Sequence, residues 1–289
     1  QHLDRVTPVL PELEQASAAD QAHGLIIANY GATLDVEAAD GRIYRCRLRS
    51  NLEEIVCGDR VAWQKQTADS GVVVALAPRD SLLCRPDFQQ NMKPIAANID
   101  QIIVTAAVQP ELSTALIDRY LVAAEHGGIR PIIVINKIDL LPADELARLK
   151  ERLRLYADIG YAVIYASVRL SHGLDALRDC LADRTSIFAG HSGVGKSSLI
   201  KSLLPEQDIR IGEVSEVTGK GMHTTTRTVL YHLPCGGNLI DSPGIREFGL
   251  WGISPEQVDQ GFVEFRPYLG QCRFRNCRHL AEPGCAIQQ

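Results

Sequence analysis

The sequence predicts a three-part chain: a small all-β barrel, an α/β domain built on a parallel sheet, and a short metal-binding tail. Three observations predict it. Short β-rich runs broken by turn dipeptides fill residues 24–76. From residue 98 onward, apolar runs alternate with helix-compatible stretches. Cys272, Cys277, His279 and Cys285 crowd the C-terminal end.

With 289 residues the chain exceeds the roughly 100–200 of one ordinary domain, so two or three compact units are expected. Its hydrophobic fraction of 45% and charged fraction of 22% are those of a globular protein. No apolar run approaches the ~20 residues that cross a bilayer, so no membrane partner is expected. The start carries no charged-then-apolar secretory pattern, which makes the cytoplasm the expected location. Eight cysteines are too dilute for a disulfide scaffold. A net charge of −5 argues against nonspecific nucleic-acid binding by the whole molecule, so any RNA contact must be local.

Residues 1–22 show no strong periodicity and are expected to form a lead-in arm. The barrel is placed at residues 23–84, on β-rich runs at 25–27, 43–48, 61–63 and 72–76 with turn signals at Asp40-Gly41 and Gly58-Asp59. In the second run, period-2 alternation puts Tyr44, Cys46 and Leu48 on one face and Arg45, Arg47 and Arg49 on the other. That arginine face suits RNA on an oligonucleotide-binding (OB-fold) barrel, although a solvated polar surface gives the same pattern. Pro78, Pro86 and Pro94, with a polar stretch between the last two, read as a linker.

The α/β domain is placed at residues 85–248. Strands are expected at 101–106, 131–136, 162–166 and 187–189, with helices at 114–126, 143–156, 174–181 and from Lys196. Gly190, His191, Ser192, Gly193, Val194, Gly195, Lys196 and Ser197 fit the phosphate-loop pattern GxxxxGK[ST], with Ser198 next to it. Glycines let backbone N–H groups close around phosphate oxygens; Lys196 supplies a point charge, and the Ser197 hydroxyl can ligate Mg²⁺.

Asn136-Lys137-Ile138-Asp139 ends another strand. A carboxylate at Asp139 accepts hydrogen bonds from the N1–H and exocyclic amine of guanine, which adenine lacks, so the motif selects GTP and opposes an ATPase. Read alone it is equally a polar turn. Asp241-Ser242-Pro243-Gly244 follows the apolar run 238–240; there Asp241 can hold Mg²⁺ and the Gly244 N–H can sense a γ-phosphate, although Pro-Gly turns are common. Ala166 and Ser167, at a fourth strand end, can back the base. Because ligands of open α/β sheets gather at the carboxyl ends of strands, four such signals reinforce one another and point to GTP and its product GDP.

The order of these motifs is rotated. Ordinary GTPases run phosphate loop, DxxG, NKxD, Ser-Ala loop; here residues 136–139 and 166–167 precede 190–197, and 241–244 come last. With a β-barrel before it and a Cys/His tail after it, this circularly permuted P-loop GTPase resembles the RsgA (YjeQ) family of small-ribosomal-subunit-dependent GTPases, from Gly24 to Cys285. The resemblance implies GTP hydrolysis stimulated by the small ribosomal subunit, a role in its late maturation, and contact with its rRNA. Residues 219–226 resemble the family's switch segment, with Met222 as an extra residue before His223. Thr225 or Thr226 would close over Mg²⁺ and the γ-phosphate. Ile245 stands where Ras-like GTPases carry a water-orienting Gln, and the resemblance moves catalysis to His223.

The tail, residues 249–289, carries C-x₄-C-x-H-x₅-C. Three thiolates and one imidazole make a closed structural zinc site with no open coordination position. Arg273, Arg275 and Arg278 surround it and offer a local rRNA contact. The scattered Cys46, Cys57, Cys84, Cys180 and Cys235 read as core or incidental residues. A monomeric GTPase of ribosome assembly is therefore expected; the competing reading is a GTP-responsive rRNA-binding adaptor with negligible turnover.

Overall fold

The computed structural model describes residues 21–50, 52, 54–86, 89, 91–204, 228–242 and 253–288. Residues 1–20 of the expected arm, His223, Thr225, Thr226, Gly244 and Ile245 lie outside the described residues, and Ala22, placed at the end of the arm, begins the first strand.

Five strands, β1 (Ala22–Asn29), β2 (Thr33–Ala38), β3 (Ile43–Leu48), β4 (Arg60–Lys65) and β5 (Ser70–Leu76), form the barrel. β1 pairs β2 and β2 pairs β3 antiparallel, β3 pairs β5 parallel, and β4 pairs β5 and then β1. That closure removes the free edges of a small sheet, and the order is that of an OB-fold. Alternate residues turn inward: Ile26, Leu34, Val36, Tyr44, Cys46, Val61, Trp63 and Val73 form the core. The Tyr44 and Trp63 rings stack with centroids 4.5 Å apart. Burial first, then the charge of Asp35, pushes the Cys46 thiol up to about 11, so it serves as a small apolar residue.

The expected linker is a hairpin instead. β6 (Leu82–Pro86) and β7 (Met92–Ala97) pair antiparallel in a sheet of their own. Proline cannot donate to an interior ladder, but a two-stranded ribbon has two free edges, and the pairing shifts register just before Cys84 meets Pro94. The hairpin spans residues 84 and 85, where the barrel was expected to end.

The α/β unit uses β8 (Gln101–Ala107), β9 (Arg130–Asn136), β10 (Ala162–Tyr165), β11 (Thr185–Ala189), β12 (Val229–His232) and β13 (Asn238–Asp241). Its helices are α1 (Thr114–His126), α2 (Ala143–Asp158), α3 (Leu174–Leu181) and α4 (Lys196–Leu203). The sheet runs β10-β9-β8-β11-β13 in parallel, as the alternation of strands and helices predicts. One strand departs from the all-parallel expectation: β12 is antiparallel to β13. It reaches β1 through the pair Ala28 and Val229, joining sheet and barrel into eleven continuous strands.

Both faces of the parallel strands are covered. Ile102, Val104, Ile133 and Ile135 pack with α1 and α2 residues such as Ile117, Tyr120 and Leu153, while Ile103, Ile132, Val134 and Phe188 pack with Leu177, Leu181 and Leu199 of α3 and α4. Continuous β-branched runs such as Ile132–Ile135 follow from that two-sided burial.

A polar seam locks the barrel to this domain. Asp59, fully buried, takes two bonds from Arg79 at 2.7 and 2.8 Å and a third from the Val56 N–H. Asn98 accepts from the Asp80 N–H and donates to the Gly58 carbonyl, both at 2.8 Å. The Cys57 thiol donates to the carbonyls of Ile27 and Thr228, and burial pushes it up to about 12.

Among the described residues after the α/β unit is a short helix, α5 (Pro255–Gly261), started by a Ser254–Gln257 capping box, followed by the irregular Cys/His tail. Among the described residues, no helix is long and apolar enough to cross a membrane.

Candidate nucleotide and metal sites

The motif residues meet at the carboxyl ends of the parallel strands. β11 ends at Ala189 and the loop 190–195 leads into α4, whose first residue is Lys196. Gly190 (φ +143°), Gly193 (φ +83°) and Gly195 (φ +90°) hold conformations that L side chains rarely adopt. Space is also short, since a Cβ at Gly190 would collide with the Thr105 carbonyl and one at Gly195 with the Asn136 amide. The loop is therefore pressed against β8 and β9, with its N–H groups and the α4 N-terminus gathered for an anion. Lys196 Nζ donates to the Gly190 and His191 carbonyls at 2.6 and 2.8 Å, which holds its ammonium over the loop. Ser197 and Ser198 are exposed in the first turn of α4, and His191 and Ser192 are exposed in the loop before it.

Asn136 and Lys137 couple this loop to the 136–139 segment. Asn136 is buried, and its amide donates to the Val194 carbonyl at 2.9 Å, while its Oδ1 has no protein partner. Lys137, in a left-handed conformation (φ +63°), reaches the Gly193 carbonyl at 2.6 Å and the Gln109 carbonyl at 2.9 Å. A turn of 3-10 helix, Ile138–Leu140, then carries Asp139. The buried Ser167 donates to Asp139 Oδ1 at 2.7 Å, and the Ile138 N–H bonds to the carbonyl of the buried Ala166. Thus the 136–139 and 166–167 segments, far apart in sequence, hold one carboxylate between them. Asp241 ends β13, and Ser242 beside it accepts from the Thr228 hydroxyl at 2.9 Å.

Sequence reading missed three participants. Thr105 sets how closely the loop can approach, Gln109 anchors Lys137, and Asp259 faces His279 of the Cys/His cluster. The first two act through backbone carbonyls, which carry no residue signature.

In the tail, the ligand atoms of Cys272, Cys277, His279 and Cys285 all lie within 4.8 Å of one another. His279 Nδ1 is 3.5 Å from Cys272 Sγ and 3.4 Å from Cys285 Sγ. Zn–S bonds of ~2.3 Å and Zn–N bonds of ~2.0–2.1 Å in a tetrahedron give an N···S edge of about 3.5 Å. The donor set and spacing therefore fit zinc. Glu282 braces the turn between His279 and Cys285 by accepting from the N–H groups of Arg278, Leu280 and Ala281. Those backbone bonds, that of Arg278 foremost, hold its carboxyl down to about 2.

The arginines divide into two kinds. Arg45 is engaged by Asp35 at 2.6 Å and lies over the Tyr30 ring at 4.2 Å, whereas Arg47 and Arg49 are exposed along the same strand face. Arg273, Arg275 and Arg278 are exposed around the Cys/His cluster, Arg273 lying 5.4 Å over the Phe274 ring.

A sequence model of the RsgA GTPase family matches residues 76–251. The chain belongs to the RsgA GTPase family. It is 52% identical over 281 residues to "Small ribosomal subunit biogenesis GTPase RsgA 1" of Vibrio vulnificus, covering 96% of this chain and 80% of that protein. Identity to the RsgA of Chromohalobacter salexigens is 55% over 269 residues, 92% of this chain and 79% of that one. Among solved structures, YjeQ from Thermotoga maritima superposes with a TM-score of 0.75 at 32% identity, covering 93% of this chain and 90% of that one. YloQ, described as a circularly permuted GTPase, gives a TM-score of 0.72 at 29% identity over 96% and 90% of the two chains. This RsgA-family chain is thus a circularly permuted GTPase, and membership implies GTP, GDP and Mg²⁺.

Proposed function

We propose that this GTPase acts in biogenesis of the small ribosomal subunit, binding the subunit with its barrel and tail and hydrolysing GTP there. One observation carries the nucleotide part: Asn136 and Lys137 are bonded directly to the phosphate loop, so base and phosphate recognition form one rigid unit. The subunit part rests on the small-ribosomal-subunit biogenesis for which relatives about half identical to this chain are named.

In this reading the N–H groups of residues 190–196 and Lys196 bind phosphate oxygens, Asp139 and Ser167 select guanine, and Ala166 backs the base. Ser197, Asp241 and Thr225 or Thr226 would hold Mg²⁺, which would supply positive charge to offset that of the phosphates. Gly244 senses the γ-phosphate, and His223 orients the attacking water. Cys272, Cys277, His279 and Cys285 hold one structural zinc. Arg47, Arg49, Arg273, Arg275 and Arg278 supply exposed charge for rRNA; Arg45, already paired with Asp35, contributes less. The barrel (23–84), GTPase domain (85–248) and tail (249–289) work as a cytoplasmic monomer.

The test is phosphate release from GTP with and without purified small subunits. Stimulated turnover supports this reading; near-zero turnover that subunits leave unchanged returns the chain to an adaptor role. A second measurement addresses the base site. Asp139→Asn presents a donor where guanine also presents donors, so GTP affinity is expected to fall about 30-fold while xanthosine triphosphate binds better than in the parent. Unchanged affinity for both nucleotides would remove Asp139 from base recognition.

A further inference from the structure

We propose that Asp259, on α5, is the positioning carboxylate for the metal ligand His279, and that through it the Cys/His module is tied to α1 of the GTPase core. The proposal rests on the zinc reading above.

The imidazole has two distinct sides. Nδ1 faces Cys272 Sγ and Cys285 Sγ at 3.5 and 3.4 Å, so it is the nitrogen offered to a metal. Nε2 faces Asp259 Oδ2 at 3.6 Å, with the His279 side chain 11% exposed and that of Asp259 30%. A metal takes the lone pair of a neutral imidazole, which leaves the proton on the other nitrogen. A carboxylate in front of that proton selects the required tautomer, fixes the ring's rotation and raises the basicity of the ligating nitrogen. Glu282, the nearby acid, is committed to the N–H groups of Arg278, Leu280 and Ala281.

Asp259 belongs to an element seated on the GTPase domain. Gly261, also on α5, is buried against α1: a Cβ there would stand 2.5 Å from Val122 Cγ1 and 3.1 Å from Val122 Cβ. Just beyond, Arg266 bonds Glu125 of α1 at 2.8 Å, and Tyr161 reaches the same carboxylate at 3.3 Å. One part of α5 therefore meets the metal ligand while its end is clamped to α1. Further along α1, Leu116, Ile117 and Tyr120 line an apolar cavity of about 250 Å³ whose other wall includes His191 and Val194 of the phosphate loop. α1 thus stands between the Cys/His module and the nucleotide loop, with that cavity separating it from the loop. If occupancy of the metal site and seating of α5 are linked, each must stabilise the other by the same factor.

The experiment compares four full-length chains: parent, Asp259→Ala, Asp259→Asn and Cys277→Ser. Zinc affinity is read by competition with a chromogenic chelator, and hydrogen exchange of residues 255–261 is followed with and without zinc. Asp259→Ala is expected to bind zinc about 10- to 100-fold more weakly and to lose zinc-dependent protection of 255–261. Asp259→Asn, nearly isosteric and still presenting an oxygen to Nε2, should fall between, a graded rescue that a merely structural role would not give. Zinc affinity in Asp259→Ala within about twofold of the parent, or undiminished protection, overturns the proposal. The remaining chains separate its failure from that of the metal site. A parent that binds no zinc sinks both; a parent that binds zinc, loses it in Cys277→Ser and keeps it in Asp259→Ala sinks only the carboxylate's role.

Discussion

Gly190→Ala is expected to weaken GTP and GDP binding about 5- to 150-fold while the barrel and tail keep their structure, since φ-strain costs ~1–3 kcal/mol and each 1.4 kcal/mol is tenfold. The reason is geometric. Gly190 sits at φ +143°, and an added Cβ would run into the Thr105 carbonyl, a backbone atom fixed in the middle of the parallel sheet. Neither neighbour can yield cheaply, because β8 is hydrogen-bonded on both sides, to β9 and to β11. The loop must move instead, taking with it the carbonyls that Lys196 bonds and the N–H groups that would meet phosphate. Titration with a fluorescent GDP analogue measures the loss. Gly31→Ala is the control: that turn also has positive φ, but a Cβ there has nothing within 4 Å, so it should leave nucleotide affinity alone. An affinity for Gly190→Ala within about threefold of the parent would contradict the fit between loop and sheet.

His223→Ala is expected to keep GTP-dependent binding to small subunits and to lose subunit-stimulated hydrolysis by about 10²–10³-fold, the range for a positioned general acid–base group. In the proposed reading Ile245 takes the position of a water-orienting Gln and offers no donor or acceptor in its side chain, which leaves that role to another group. Single-turnover phosphate release on purified subunits reads the chemical step, and cosedimentation reads binding. The expected pair of results is a chain that stays on its target after GTP loading. If His223→Ala hydrolyses GTP on the subunit as fast as the parent, water positioning belongs to another residue or to rRNA.

Several features were legible because their chemistry is written in residue types at fixed spacing. GxxxxGKS, NKxD and DxxG each carry side chains whose donors, acceptors or missing Cβ are needed at one place, and their rotated order exposes the permutation. Period-2 alternation separated Tyr44 and Cys46 inside the barrel from Arg45 and Arg47 outside it. The same method failed at residues 78–97. Prolines were read as breakers, yet a two-stranded ribbon tolerates them, because its outer N–H groups need no ladder partner. It also missed β12 and, with a charge on each side of Val36, β2.

By itself, the sequence determined the three-part organisation, the guanine-nucleotide motifs and the Cys₃His donor set, since each depends on side-chain chemistry and local period. Tertiary structure alone decided how they are held together. Asn136 bonds Val194, Ser167 bonds Asp139, Gly190 abuts Thr105, β12 carries the sheet into the barrel, and Asp259 meets His279. Three of these contacts involve a backbone atom or backbone pairing, and all join segments distant in sequence. A carbonyl or an N–H is the same in every residue, so only the packing of the folded chain says which one is reached.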